Sequence, residues 1–334
     1  MDTVNTGTAS AANAAGATAA NATVGPTPPA SGVRLVAIGG GTGLPLVLRA
    51  AVALGIEPTA VVTMADDGGS TGRLRRDLGI LPPGDVRKCM VALTAPDRAL
   101  LGRLLNYRFE SGEGIAGHAL GNLMLAALAD ITGSFEDAVK LVETLLETRG
   151  RVLPSTFVDV TLRGFDRAGD EIFGQVSLAN NTAPLADVAL NPADAAANPE
   201  AVDALHAADV IVICPGSLFT SIIPNLLVPG ILAAVRNSGA QLVYIANVAN
   251  MLGETAGFTV EDYVAALEAH GLAGRIDTII AGLPADPEHP FRHEPIALTA
   301  ALQAFLGEDR RGSHVIPPLT SSPESGVFLR PGDL

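Results

Sequence analysis

The sequence predicts an α/β fold with a doubly wound, mainly parallel sheet and a β-hairpin insertion, on three observations. An apolar strand passes into a glycine loop, a helix and a second strand over 33–64, the succession of a right-handed βαβ unit. Two further apolar runs, 209–214 and 241–246, stop at small or polar residues, as buried parallel strands do. The stretch 156–180 instead alternates around a turn at 166–170, the pattern of an antiparallel hairpin.

The elements follow in order. Val33 to Ile38 reads as a strand ending in Gly39-Gly40-Gly41-Thr42-Gly43, and Leu46 to Leu54 as a helix stopped by Gly55. Ala60 to Met64 is a second strand, ending in Ala65-Asp66-Asp67-Gly68-Gly69-Ser70. Apolar residues at three- and four-residue spacing predict helices over 85–93, 97–109, 117–131 and 134–148. Ser134 and Asp137 open the last of these as a cap, with Gly150 past its end. After the hairpin, 183–199 is looser. Then come a helix over 200–208, a strand over 209–214 ending in Pro215-Gly216-Ser217, and a helix over 231–236. The strand 241–246 ends at Asn247, a helix spans 259–270, and a last strand spans 276–281. Residues 1–32 read as a disordered, low-complexity tail and 33–334 as a single Rossmann-like domain. Strand ends at 39, 65, 214 and 246 should share one face, because ligands of such sheets bind beyond the carboxyl ends of the strands.

Composition narrows the function. A net charge of −14 argues against general nucleic-acid binding. Eight cations between Arg73 and Arg108, opposed by Asp77, Asp85 and Asp97 alone, form the local patch that an anionic small ligand needs. No apolar stretch reaches the roughly 18 residues of a membrane span. The candidates near Ile211 and Leu226 are broken by Pro215, Pro224 and Pro229. Residues 1–30 lack the basic and apolar regions of a signal peptide. Cys89 and Cys214, without neighbours at metal-ligand spacing, read as buried small hydrophobes of a reduced, cytoplasmic chain.

Five loops carry the chemistry. Gly40, Gly41, Thr42 and Gly43 let backbone approach a phosphate at a helix start. They are not a dinucleotide fingerprint, since Leu44 and Leu46 stand where its third glycine belongs, nor a P-loop, since no Lys-Ser/Thr follows. In the second loop, Asp66 or Asp67 could hold a ribose hydroxyl, or Mg²⁺ carrying a phosphate. Gly69 and Ser70 supply flexible backbone and a hydroxyl there, and Arg73 and Arg75 could clamp a phosphate. Its alternative is a capped turn with surface ion pairs. Gly84, Asp85 and Arg87 open the third, where the cations Arg87 and Lys88 oppose the helix dipole and so suggest a ligand. His118 and Asn122, four apart on one helix face, could touch ligand hydroxyls or phosphate, or satisfy each other's surroundings. Pro215, Gly216 and Ser217 make a cradle rather than a nucleophile elbow, with Asn247, Gly253 and Glu254 as its rim. No group stands out as a general base.

Taken together, VAIGGGTGL, VVTMADDGGSTGRLRR, LPPGDVRKCMVAL, GHALGNLMLAAL, the long 198–231 stretch and YIANV with the following GET resemble the YvcK-type gluconeogenesis factor family. That family lies within the wider CofD-like group, whose other branch holds 2-phospho-L-lactate transferases. The resemblance runs in order from Val33 to Ile280. Lys88 stands where this branch usually has Asn, Ala246 where Cys is common, and 249–252 lacks a Thr-Gln-Pro. The resemblance implies a CofD-like fold and binding of UDP-sugars, typically UDP-N-acetylglucosamine. It also implies a regulatory role linking carbon supply to cell-envelope precursors and cell shape, through a protein partner. A homodimer is the common assembly of this fold. Mg²⁺ is the one candidate cofactor. The alternative to a binding regulator is a nucleotide-dependent transferase acting on a phosphorylated small molecule.

Overall fold

The computed structural model describes residues 32–166, 169–181, 185–251 and 254–307, with the backbone of 327–329. The expected tail, the end of the chain beyond 307 apart from that strand, and the rim position Gly253 lie outside the described residues.

Among the described residues the strands are β1 Leu35–Gly39, β2 Thr59–Val62, β3 Arg151–Pro154, β4 Thr161–Asp166, β5 Glu171–Phe173, β6 Leu185–Asn191, β7 Val210–Ile213, β8 Gln241–Ile245, β9 Thr278–Ala281 and β10 Val327–Leu329. Seven form one sheet in the order β10-β9-β8-β7-β1-β2-β3. Six of these are parallel, and β10 pairs antiparallel with β9 at one edge. The central strands are apolar throughout because helices cover both faces. Val210–Ile213 is wholly buried and Leu35–Gly39 nearly so. Each such Leu, Ile or Val taken from water stabilises the fold by about 1.5–3 kcal/mol.

The helices are α1 Gly43–Ala53, α2 Gly69–Leu78, α3 Gly84–Leu93, α4 Ala99–Asn106, α5 Leu120–Thr132, α6 Phe135–Leu146, α7 Gln175–Ala179, α8 Pro199–Ala207, α9 Ile223–Leu226, α10 Pro229–Asn237, α11 Val260–Leu267 and α12 Pro295–Gly307. Their starts follow the sequence: Ser134 accepts the Asp137 N–H at α6, and Thr259 and Asp262 cap each other at α11. No single described helix is long and apolar enough to cross a membrane; the apolar pair Leu218–Leu226 and Pro229–Asn237 is bent by 76°. Cys89 and Cys214 are free and fully buried, as expected.

The chain departs from the expected elements in five places. Gly69 to Arg75, read as part of a loop, lies in helix α2. The insertion is three-stranded, in the order β5-β4-β6, and β6 comes from the stretch read as looser. Gln175 to Ala179, expected to continue the hairpin, turns helical because the Asp67 carboxylate accepts both the Gln175 and the Val176 N–H. Strand β3 and helix α12 were not anticipated at all.

From β1 the sheet winds outward in both directions, to β2 and β3 on one side and to β7, β8 and β9 on the other. The switch point is therefore the crevice between the ends of β1 and β7, where ligands of such sheets bind.

Candidate functional site

The loops after β1 and β7 meet at that crevice. Gly43, the first residue of α1, lies so close to the next loop that a Cβ there would stand 1.8 Å from the Pro215 carbonyl oxygen. Only glycine permits that approach. The two loops line a cleft of about 680 Å³ with Gly41, Thr42, Pro215, Gly216, Ser217 and Asn247 on its walls. Its size suits a nucleotide-sized ligand. Thr42 stands at the start of α1 and makes no side-chain cap, so it leaves the N–H groups of Gly43 and Leu44 uncapped, Pro45 after them having none.

Asn247 acts on the loop rather than outward. Its Oδ1 accepts the Gly216 N–H at 2.8 Å, and its Nδ2 donates to the Gly216 carbonyl at 2.7 Å. Ser217 Oγ donates to the Glu254 carboxylate at 2.6 Å and also bonds Thr220 Oγ1. Burial pushes the Glu254 carboxyl above its ordinary range, against the downward pull of the Ser217 and Thr220 hydrogen bonds.

The other predicted residues gather behind the glycine loop. The Gly41 N–H donates to Asp85 Oδ2 at 2.7 Å, and Asp85 Oδ1 accepts Lys88 Nζ at 2.8 Å. Gly40 sits against Thr63 and Asp85. Gly84 fits beneath Thr71 and Asp66, where a Cβ would lie 2.3 Å from Thr71 Oγ1. Burial, and then Asp85, raise the Asp66 pKa; the Gly68 N–H, Lys88 and Thr71 oppose them. A buried chain of bonds follows. Arg87 Nε donates to Asn122 Oδ1 at 2.8 Å, Asn122 Nδ2 to Ser70 Oγ at 3.0 Å, and Ser70 Oγ lies 3.0 Å from His118 Nδ1. Ser70 accepts from Asn122, and the hydrogen bond it shares with His118 Nδ1 runs in the direction that the histidine tautomer sets. Burial lowers the His118 pKa, and Arg73 and Arg108 lower it further against the pull of Asp77, which favours the neutral ring. Burial also pulls the Arg87 guanidinium down to about 10, so it remains charged at neutral pH.

Several residues expected to meet a ligand are engaged with the scaffold. Arg75 donates to the Asp66 and Val160 carbonyls and to Asp159. Arg73 donates to the Ala116 carbonyl at 3.0 Å. Asp67 holds the start of α7 with both carboxylate oxygens. Gly69 begins α2 with φ +45° and has open space around it.

The expected set missed the opposite wall of the cleft. It is formed by Glu288 to Arg292 and by the buried His293, whose Nε2 lies 3.0 Å from the Ala246 carbonyl oxygen. A smaller cavity of about 120 Å³ adjoins the cleft and shares Thr42, Leu46 and Arg292 with it; Pro45, Arg49, Lys88 and Asn106 complete its lining. Partial burial lowers the Arg49 pKa, and the like charge of Arg292 adds to that. The signal that could have found this wall is the rule already applied to four strand ends. The β9 end at Ala281 is a fifth, and the chain that follows it returns to the crevice.

The donor set does not suit Mg²⁺. That ion requires oxygen ligands in near-octahedral array. Here both Asp67 oxygens accept backbone N–H groups, Asp66 Oδ1 accepts the Gly68 N–H, and an ammonium already binds Asp85. Among the described residues no group of three or more His, Cys, Asp or Glu could hold a metal ion.

The family model for the 2-phospho-L-lactate transferase CofD matches residues 35–294. The gluconeogenesis factor of Halalkalibacterium halodurans is 45% identical over 246 residues, covering 74% of this chain and 76% of the relative. That of Bacillus subtilis is 43% identical over 247 residues, covering 74% and 78%. A Nostoc protein named as a putative gluconeogenesis factor is 46% identical, and the chain spans 52% of its length. A crystal structure of a Bacillus halodurans protein superposes with a TM-score of 0.73 at 44% identity, covering 76% of this chain and 82% of that one.

Proposed function

The chain belongs to the CofD-like family that includes the gluconeogenesis factors, and from that premise we propose that it is a nucleotide-sugar-binding regulator whose ligand is UDP-N-acetylglucosamine or a close relative. The observation that carries this reading is the uncapped start of α1, open to a cleft whose side cavity is lined by Arg49, Lys88 and Arg292. A diphosphate is the group such a place selects: helix N–H groups and a converging set of cations both stabilise it. Leu46, Met251 and Phe291 offer apolar surface for a base or sugar ring.

The regulator acts in the cytoplasm as a homodimer. Ligand closes the walls around the crevice and shifts the population presented to a protein partner. In this reading the role named for the relatives, gluconeogenesis factor, connects carbon supply with the level of a cell-envelope precursor and with cell shape.

One observation favours a second reading, a transferase of a phosphorylated small molecule. Ser217 Oγ on the cleft wall is hydrogen-bonded to a buried carboxylate, an arrangement that can activate a hydroxyl. Calorimetric titration with UDP-N-acetylglucosamine, followed by chromatography of the recovered ligand, separates the two. A sensor binds saturably and returns the ligand intact. Arg292→Ala should weaken binding by about tenfold or more, the loss of one charge-assisted contact. Chemically altered ligand supports the transferase. No binding at millimolar ligand contradicts the nucleotide-sugar reading.

A further inference from the structure

We propose that Lys88 is a built-in cation, its ammonium standing where a divalent ion would join Asp66 and Asp85 to an anionic ligand, so that the site works without metal. The part that concerns the ligand rests on the reading above.

Geometry carries the proposal. Lys88 follows Asp85 by three residues on α3, and its Nζ donates to Asp85 Oδ1 at 2.8 Å. The other oxygen of that carboxylate accepts the Gly41 N–H at 2.7 Å, within the glycine loop itself. Asp66 is close enough to both Asp85 and Lys88 to interact with them electrostatically. On its other side Lys88 lines the small cavity, with Arg49 and Arg292. One ammonium thus binds the Asp85 carboxylate, lies within the electrostatic reach of Asp66, and faces an anion-sized space, the bridging position that Mg²⁺ takes between protein carboxylates and phosphate oxygens. An ammonium has three donors; Asp85 accounts for one shown here, and the others can serve a ligand. A divalent ion at the same place would meet a positive charge already hydrogen-bonded to its first ligand. Burial alone would lower the Lys88 pKa, but Asp85 and Asp66 outweigh it and raise the value, so the cation is held charged.

The test is Mn²⁺ binding to the full chain, followed by electron paramagnetic resonance, for the wild type, Lys88→Arg and Lys88→Asn. The wild type and Lys88→Arg should bind no ion at the carboxylate pair. Lys88→Asn should gain one, lost again when Asp85→Asn is added. Titration with UDP-N-acetylglucosamine gives the second readout. Wild-type affinity should be the same in EDTA as in Mg²⁺, whereas Lys88→Asn should weaken about tenfold in EDTA and recover with Mg²⁺. Wild-type Mn²⁺ binding that Asp85→Asn abolishes would overturn the proposal. So would a Lys88→Asn protein that binds no Mn²⁺, or wild-type affinity that collapses in EDTA. A protein that binds no nucleotide sugar at all contradicts the proposed function, while the Mn²⁺ titration still decides the role of Lys88.

Discussion

His293 ties the far wall of the cleft to the sheet through its contact with the Ala246 carbonyl, and it is a buried titratable group. Burial holds its pKa down to about 4, against the ordinary 6.5 of a histidine and despite the upward pull of that carbonyl. The unfolded chain therefore takes up a proton at higher pH than the folded one. The stability conferred by the neutral ring is complete above pH 6.5 and is lost as the pH falls toward 4. At about 1.4 kcal/mol per pKa unit the loss is on the order of 3–4 kcal/mol. Melting temperatures should fall across that window. His293→Gln, which keeps a donor for Ala246 without titrating, should flatten this part of the profile; an unchanged slope would contradict the assignment. Sequence reasoning found the neighbouring Gly41, Ser217 and Asn247 because their residue types suit strand-end loops. It could not see where Asp67 and Arg75 point. Both carry the charge a ligand would need, and both are satisfied by backbone groups more than 80 residues away in sequence.

Helix α1 and the loop after β7 behave as one unit because Gly43 lies against the Pro215 carbonyl. Gly43→Ala forces the two apart. It should cost about 3 kcal/mol, the upper end of ordinary overpacking, as read from the midpoint of urea unfolding, and should weaken ligand binding as well. Wild-type stability and affinity in that variant would contradict the close approach. The elements that the sequence revealed are those with a local signature: the glycine loop after β1, the caps of α6 and α11, and the apolar runs of β7 and β8. Those it concealed depend on distant partners. Strand β3 has only four residues and ends in Pro154, and it is a strand because β2 pairs with it. The short helix α7 exists where Asp67 supplies acceptors to its first N–H groups, although its residues alternate like a strand. Helix α12, apolar on most sides, shows little amphipathic pattern and packs on α1.

At the scale of the molecule, the order of strands decides where chemistry can occur. Winding outward from β1 in both directions opens the crevice between β1 and β7. The chain carries a net charge of −14, yet Arg49, Lys88 and Arg292 converge beside that crevice. An anion is thus attracted to one small region of a protein that otherwise repels it. The predicted grouping of strand ends was sound, but the predicted site divides in two. Gly41, Thr42, Gly43 and the loop after β7 face the cleft, while Ser70, Arg87, His118 and Asn122 form a buried scaffold joined to it through Asp85. The most direct measurement is a crystal structure of the protein soaked with UDP-N-acetylglucosamine. The account predicts the diphosphate at the start of α1, within reach of Arg49, Lys88 and Arg292. A nucleotide bound beside His118 and Arg73 instead, or no density in the cleft at saturating ligand, would contradict it.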